Sequence, residues 1–140
     1  MSYADNTLSE ERDGRTVWKM TAAQLNVDID TNDTSMTAID GTFYTEDGRS
    51  LTLKAAEGRM DGKTHDVVVT GNIEAQTSDG ASLRAKQLRW TAAEGSLSAE
   101  GDAVLIRDDI RATGDRIVST DGFQKFSVIG NARVEKGGTK

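Results

Sequence analysis

This 140-residue chain contains no cysteine, so neither a disulfide frame nor a thiolate metal site is available to it. Proline is also absent, where about seven would be average for this length, and the strand edges therefore lack their commonest blocker. Aromatic residues are scarce, with two Trp, two Tyr and three Phe, and there is a single histidine. No run of eighteen apolar residues occurs, so the chain contains no bilayer-spanning helix. The net charge of −6 and the lack of a basic aromatic face argue against a nucleic-acid partner. The length suits one domain able to bury roughly two-thirds of its unfolded surface.

What the chain does have is a repeat. Gly41, Gly71, Gly101 and Gly130 recur at intervals of 30, 30 and 29 residues, each opening a polar step into a short apolar stretch. An apolar residue two before an alanine keeps the same beat: Met20 and Ala22, Leu53 and Ala55, Leu83 and Ala85, Ile110 and Ala112. A period near 30 signals stacked copies of a unit that cannot bury its apolar face alone. Turn dipeptides fall twice per repeat, at Asp13-Gly14, Asn32-Asp33, Asp47-Gly48, Asp61-Gly62, Asp79-Gly80, Glu94-Gly95, Asp108-Asp109 and Asp121-Gly122. Such pairs favour the positive φ angles of tight hairpins, so about eight antiparallel passes are expected.

Between turns the residues alternate. Trp18, Met20 and Ala22 are expected on one face and Val17, Lys19 and Thr21 on the other. The glycines sit mid-pass, where they mark a bulge or bend. If every pass bends at the same place, the sheet folds along a common crease. The expected fold is all-β: two facing sheets in an open, twisted, taco-like or jelly-roll-like arrangement, its passes broken into roughly 14–16 short strands. A single flat sheet is the alternative. Alanines at 22, 55, 85, 99 and 112 suit a crease where sheets approach closely. The bulky inward set is Trp18, Met20, Leu25, Val27, Ile39, Phe43, Leu53, Val69, Ile73, Leu83, Leu88, Trp90, Leu97, Ile117, Phe126 and Val128. Closed, that set is an ordinary core; held apart, it is a groove for alkyl chains.

Chemistry-bearing residues are few. His65 lies in the turn GKTHD with no serine or cysteine nucleophile placed to use it, and reads as a solvated turn residue. Asp28, Asp30, Asn32 and Asp33 mimic the start of a calcium loop, but Asp33 stands where Gly is required and Ile39 where Glu is required. Adjacent carboxylates such as Glu10 and Glu11, or Asp108 and Asp109, point to opposite faces of a strand and do not pair for catalysis. No catalytic set, metal site or cofactor is expected. Thr7 and Glu10 would fit a capping box for one helical turn in an otherwise polar segment.

The stretches DGRTVWKMTAAQL, GTFYTEDGRSLTLKAAEGRMD, VTGNIEAQTSDGASLRAKQLRWTAAEGSL and IRATGDRIVSTDGFQKFSVIGNARV together resemble the periplasmic LptC family of lipopolysaccharide-export proteins, whose fold is shared with LptA and OstA-like proteins. The resemblance covers roughly residues 12–135 and lies in repeated structural positions. It implies a periplasmic β domain, tethered to the inner membrane by an N-terminal anchor helix that this sequence does not contain. Such a domain accepts lipopolysaccharide from an inner-membrane ABC extractor and passes it along a β-groove bridge, pairing edges with LptA-like and LptF/LptG-like β domains. The expected organisation is a flexible segment over residues 1–11, one LptC-like domain over 12–136 and a flexible tail over 137–140.

On this reading the groove lining is Trp18, Met20, Ile39, Phe43, Leu53, Val69, Ile73, Leu83, Leu88, Trp90, Phe126 and Val128. The docking edge is the final pass, with Phe123, Lys125, Ser127, Ile129, Ala132 and Val134. Arg84, Lys86 and Arg89, with Arg107, Arg111 and Arg116, either meet lipid phosphates at the rim or form cross-strand ion pairs. A soluble LptA-like bridge component and a self-assembling β module without ligand stand as alternatives, and a polysaccharide-active β-repeat enzyme as a remoter one.

Overall fold

A computed structural model describes residues 2–4 and 6–136. Eleven strands are present among them, in chain order β1 (Ser2–Ala4), β2 (Thr7–Arg12), β3 (Arg15–Val27), β4 (Thr34–Tyr44), β5 (Ser50–Met60), β6 (Val67–Thr77), β7 (Ser82–Thr91), β8 (Ser96–Arg107), β9 (Ile110–Ser119), β10 (Ser127–Ile129) and β11 (Arg133–Lys136). They form one antiparallel sheet in sequence order from β1 to β10, with β11 also pairing β9. The sheet does not close on itself. All eight turn dipeptides fall in the connections between strands.

The crease is real, and it is made of aligned bulges. The register breaks between Lys54 and Glu57 on β5, Thr70 and Ile73 on β6, Arg84 and Gln87 on β7, and Glu100 and Ala103 on β8. Gly71-Asn72, Gly101-Asp102 and Gly130-Asn131 all have positive φ, so each glycine shares its bulge with a residue that also tolerates the left-handed region. A Cβ on Gly71 would lie 2.5 Å from Ala56 Cβ, and one on Gly101 would lie 2.8 Å from Lys86 Cβ. The first repeat departs from this pattern. Gly41 lies in regular strand opposite Met20 and Leu53, and a positive φ of +53° falls instead at Ala38, with no shift of register on either side. Because the bulges bend the ladder without interrupting it, the central passes remain strands of 10–13 residues rather than 14–16 fragments.

The crease divides the sheet into two leaves that face one another. Phe43, from the first leaf, and Trp90, from the second, meet with ring centroids 5.6 Å apart although their strands do not pair. Between the leaves lies a single hydrophobic core. Val17 belongs to it, against the expected alternation. Glu10 pairs with Trp18 while Glu11 pairs with Thr16, which leaves Val17 as the extra residue of a bulge and turns it inward beside Trp18. Val27, expected inward, is exposed because β3 runs past the end of the core. Met36, Leu51, Met60 and Leu105 join the core without having been singled out by sequence.

Part of the 1–11 segment expected to be flexible, with a capping box at Thr7 and Glu10, instead belongs to β2, which lies along the first half of β3. The alternation of Leu8 and Glu10 facing inward with Ser9 and Glu11 between them suits a strand, and cross-strand pairing to Trp18 and Met20 outweighs a local cap. The tail over 137–140 lies outside the described residues.

Candidate functional site

Ten of the twelve proposed groove residues are buried: Trp18, Met20, Ile39, Phe43, Leu53, Val69, Ile73, Leu83, Leu88 and Trp90. Phe126 and Val128 pack partly buried against the same cluster. The structure therefore brings the set together, but as a filled interior rather than an open trough. The small residues Ala22, Ala55, Ala85, Ala99 and Ala112 are all buried, which lets the leaves approach closely. One donor in this interior is unsatisfied. Trp18 Nε1 is buried and has no hydrogen-bond partner among the described residues.

Opposite the crease, the two rows of turns face each other across a mouth. A cavity of about 480 Å³ opens there, with Val17, Phe43, Leu51, Trp90 and Leu97 forming its apolar floor. Its rim carries Arg12, Arg15 and Arg49 together with Asp13, Glu46, Asp47, Glu94 and Asp121. Three ties cross the mouth. Arg49 Nη2 donates to the Asp121 carbonyl at 2.6 Å, Arg12 Nη2 donates to the Ala92 carbonyl at 3.3 Å, and His65 Nδ1 lies 3.0 Å from Glu10 Oε1. Each joins an early strand or turn of the first leaf to a later turn of the second, so the leaves cross rather than superpose, as the right-handed twist of a long sheet requires. His65 is thus engaged across the fold, not simply solvated.

Arg49 is the centre of a charged network along one row of turns. Its Nε lies 3.0 Å from Asp47 and its Nη1 3.3 Å from Asp79, and Asp79 in turn holds Arg107 at 3.0 Å. The Arg107 hydrogen bond, with help from Thr77 and Arg49, holds the Asp79 carboxyl down at about 2. Hydrogen bonds from Thr45 and then Arg49 lower Asp47. Asp121 is desolvated, which raises it, but the N–H groups of Lys125 and Gln124, the Ser119 hydroxyl and Arg49 together leave it lowered.

The basic residues expected at the rim are elsewhere. Lys86 pairs with Asp102 at 3.2 Å and Arg89 with Glu100 at 3.5 Å, both across neighbouring strands, while Arg107 is committed to Asp79. Arg84 and Arg111 are exposed away from the mouth cavity. Of the arginines that do reach the mouth, Arg12 and Arg15 flank the β2–β3 turn and Arg49 lies far from them in sequence, at the β4–β5 turn. Asp33, from the calcium-like stretch, is occupied by the Gly62 N–H and by Arg59, which lower its pKa in that order of weight.

The proposed docking edge is mixed. Ser127 and Ile129 lie on β10 and Val134 on β11, strands that pair only with β9, and Ala132 lies between them. Ile129 and Val134 are exposed. Phe123 is not an edge residue. Its side chain is fully buried in the core, because the connection from β9 to β10 turns it inward. Lys125 belongs to the same connection, its N–H donated to Asp121 and its carbonyl accepting from Ser119. At the other end, β2 covers only the first half of β3, so Gln24–Val27 pair with β4 alone.

Residues 3–89 match the family described as "Lipopolysaccharide-assembly, LptC-related". The chain belongs to that LptC-related family. Among solved structures, the fold is similar to that of LptH, "the LptA homologous periplasmic component of the conserved lipopolysaccharide transport device from Pseudomonas aeruginosa". That similarity has a TM-score of 0.67 at 10% identity and covers 88% of this chain and 95% of the other. No curated protein matches the chain. The LptC-related sequence match and the LptA-like fold agree with the open, bent, antiparallel architecture described above.

Proposed function

We propose that this LptC-related domain is a periplasmic lipopolysaccharide-transfer protein that receives acyl chains between its two leaves and hands them to a neighbouring β domain. The observation that carries this reading is the mouth: an apolar floor continuous with the core lies beneath an arginine-bearing rim, in a sheet whose first and last described strands do not pair with each other. Burial of acyl chains at about 0.8 kcal/mol per methylene holds a lipid without directional bonds, so a chain can slide from one lining to the next. The unpaired Trp18 N–H offers a donor for a lipid carbonyl, which would relieve a buried unsatisfied group.

Handover needs a continuous lining, and edge pairing would supply it. Ser127, Ile129, Ala132 and Val134 at the last pass, and Gln24–Val27 at the first, are the backbone edges suited to LptA-like or LptF/LptG-like partners. Acceptance from an ABC extractor and tethering to the inner membrane complete the proposed role.

Photo-crosslinking side chains at Phe43 and Leu88 should capture lipopolysaccharide added to the purified protein. The exposed positions Thr37 and Arg84 serve as controls. Equal labelling at all four positions would sink the proposal.

A further inference from the structure

The connection between β9 and β10 opens with the side-chain turn also used at 45–49 and 77–81, where Thr45 and Thr77 Oγ1 accept the Arg49 and Ala81 N–H groups, but it runs longer. Residues 120–126 carry no strand, and side chains hold them in place. Ser119 Oγ accepts the Phe123 N–H at 2.9 Å and donates to the Lys125 carbonyl at 2.6 Å, while Asp121 Oδ1 accepts the Lys125 N–H at 3.0 Å. This polar loop nevertheless delivers Phe123 into the core, where it is among the largest fully buried side chains. Its backbone stands at φ +67°, a region that a bulky L residue rarely adopts unless its surroundings impose it.

Across the mouth the loop is tied by the Arg49 hydrogen bond to the Asp121 carbonyl and by the close approach of Gly122 to Thr45. Residues 119–122 also form one wall of the mouth cavity. Swinging the loop outward would therefore break one cross-mouth hydrogen bond, withdraw the Phe123 ring and the partly buried Phe126 ring from the core and remove a wall. The ladder from β2 to β9 would stay intact.

We infer that residues 120–126 are a strap over an acyl-chain subsite, and that Phe123 fills at rest the space taken by the first hydrocarbon chain to enter. Exchange of a phenyl ring for an alkyl chain replaces one apolar occupant with another, so the interior is never left empty. Arg49 stays in place, because Asp47 and Asp79 hold it independently of the strap. Its Nη2, released from the Asp121 carbonyl, then faces the entering ligand as a charged donor. The ligand class is an acylated amphiphile with a phosphate headgroup. The ligand rests on the lipid-transfer reading above; the strap's motion does not.

Two measurements test this. A Cβ on Gly122 would lie 2.7 Å from Thr45 Cγ2, and the chain has no cysteine of its own, so T45C/G122C can lock the strap with one disulfide. Capture of micellar lipid A by a photo-crosslinker at Phe43 should fall at least tenfold in the oxidised form and recover on reduction. Equal capture in both forms overturns the strap as a gate. Without ligand, Arg49→Ala should speed hydrogen exchange of the Phe123 and Lys125 amides at least tenfold and leave the β5–β8 ladder unchanged. Exchange of those amides only at the rate of the whole sheet overturns the independent motion. Failure of the unlocked protein to capture lipid A overturns the subsite and the lipid-transfer reading, while the exchange result still decides the strap.

Discussion

Gly71→Ala tests the crease most directly. Gly71 has φ +99°, and the added Cβ would meet Ala56 Cβ at 2.5 Å, with Ala56 N at 3.2 Å and Cα at 3.3 Å. The backbone strain of an L residue in this region costs about 1–2 kcal/mol. Carbon atoms in ordinary contact stand roughly 3.5–4.0 Å apart, so β5 and β6 must also separate at the bulge, which adds about 1–3 kcal/mol. The combined loss is about 3 kcal/mol, equivalent to a fall in Tm of roughly 6–12 °C for a chain of this size. Gly80 separates the two contributions. It has φ +102°, but a Cβ added there would meet nothing within 4 Å, so Gly80→Ala carries the backbone strain alone. Urea unfolding followed by the fluorescence of Trp18 and Trp90 should rank wild type, Gly80→Ala and Gly71→Ala in that order of decreasing stability. Ala56→Gly in the Gly71→Ala background should recover part of the loss. If Gly71→Ala is no more destabilised than Gly80→Ala, the leaves are not in close approach at the crease and the account of the bend is wrong.

Two further outcomes are expected. Asp79 is held at about 2 against 3.8 when free, a carboxyl depressed by folding, so its stabilisation is fully present above pH 3.8 and is lost as pH falls from there through about 2. The full shift corresponds to roughly 2.4 kcal/mol, which solvent screening at the partly exposed site reduces to about 1 kcal/mol. Asp79→Asn should flatten the acid limb of the stability curve between those pH values, and an unchanged limb would mean that the Arg49–Asp79–Arg107 network contributes nothing. Ala38→Gly should stabilise by about 0.5 kcal/mol, since removing an Ala from the left-handed region outweighs the entropy that glycine loses on folding. A drop in the urea midpoint of that variant would show the Ala38 backbone to be unstrained.

The repeat and turn chemistry were legible because both are local. A glycine every thirty residues and an acidic or Asn turn pair twice per repeat are enough to give the number of passes, their antiparallel order and a crease. What eluded the sequence depends on register or on distant contacts. Val17 turned inward because a bulge opposite Glu10 and Glu11 shifted the alternation by one, and nothing in TVWKMTA announces it. In the first repeat Ala38, not Gly41, carries the positive φ, and its residue type gives no sign of it. Of the rim arginines, Arg12 and Arg15 pair across the β2–β3 hairpin, and Arg49 joins them at the mouth from the β4–β5 turn only once the strands have paired. Phe123 read as part of an edge because FQKFSVIG alternates well. Its burial follows from the Ser119 and Asp121 hydrogen bonds that curl the chain back before β10 begins.

The bend is specified once in every thirty residues, whereas the clasps between Arg49 and Asp121 and between Arg12 and Ala92 each occur once among the described residues. Length and closure are thus written in separate places. A lineage could add or drop a pair of passes and keep the same hinge line, while a handful of non-repeating side chains decided how tightly the ribbon grips.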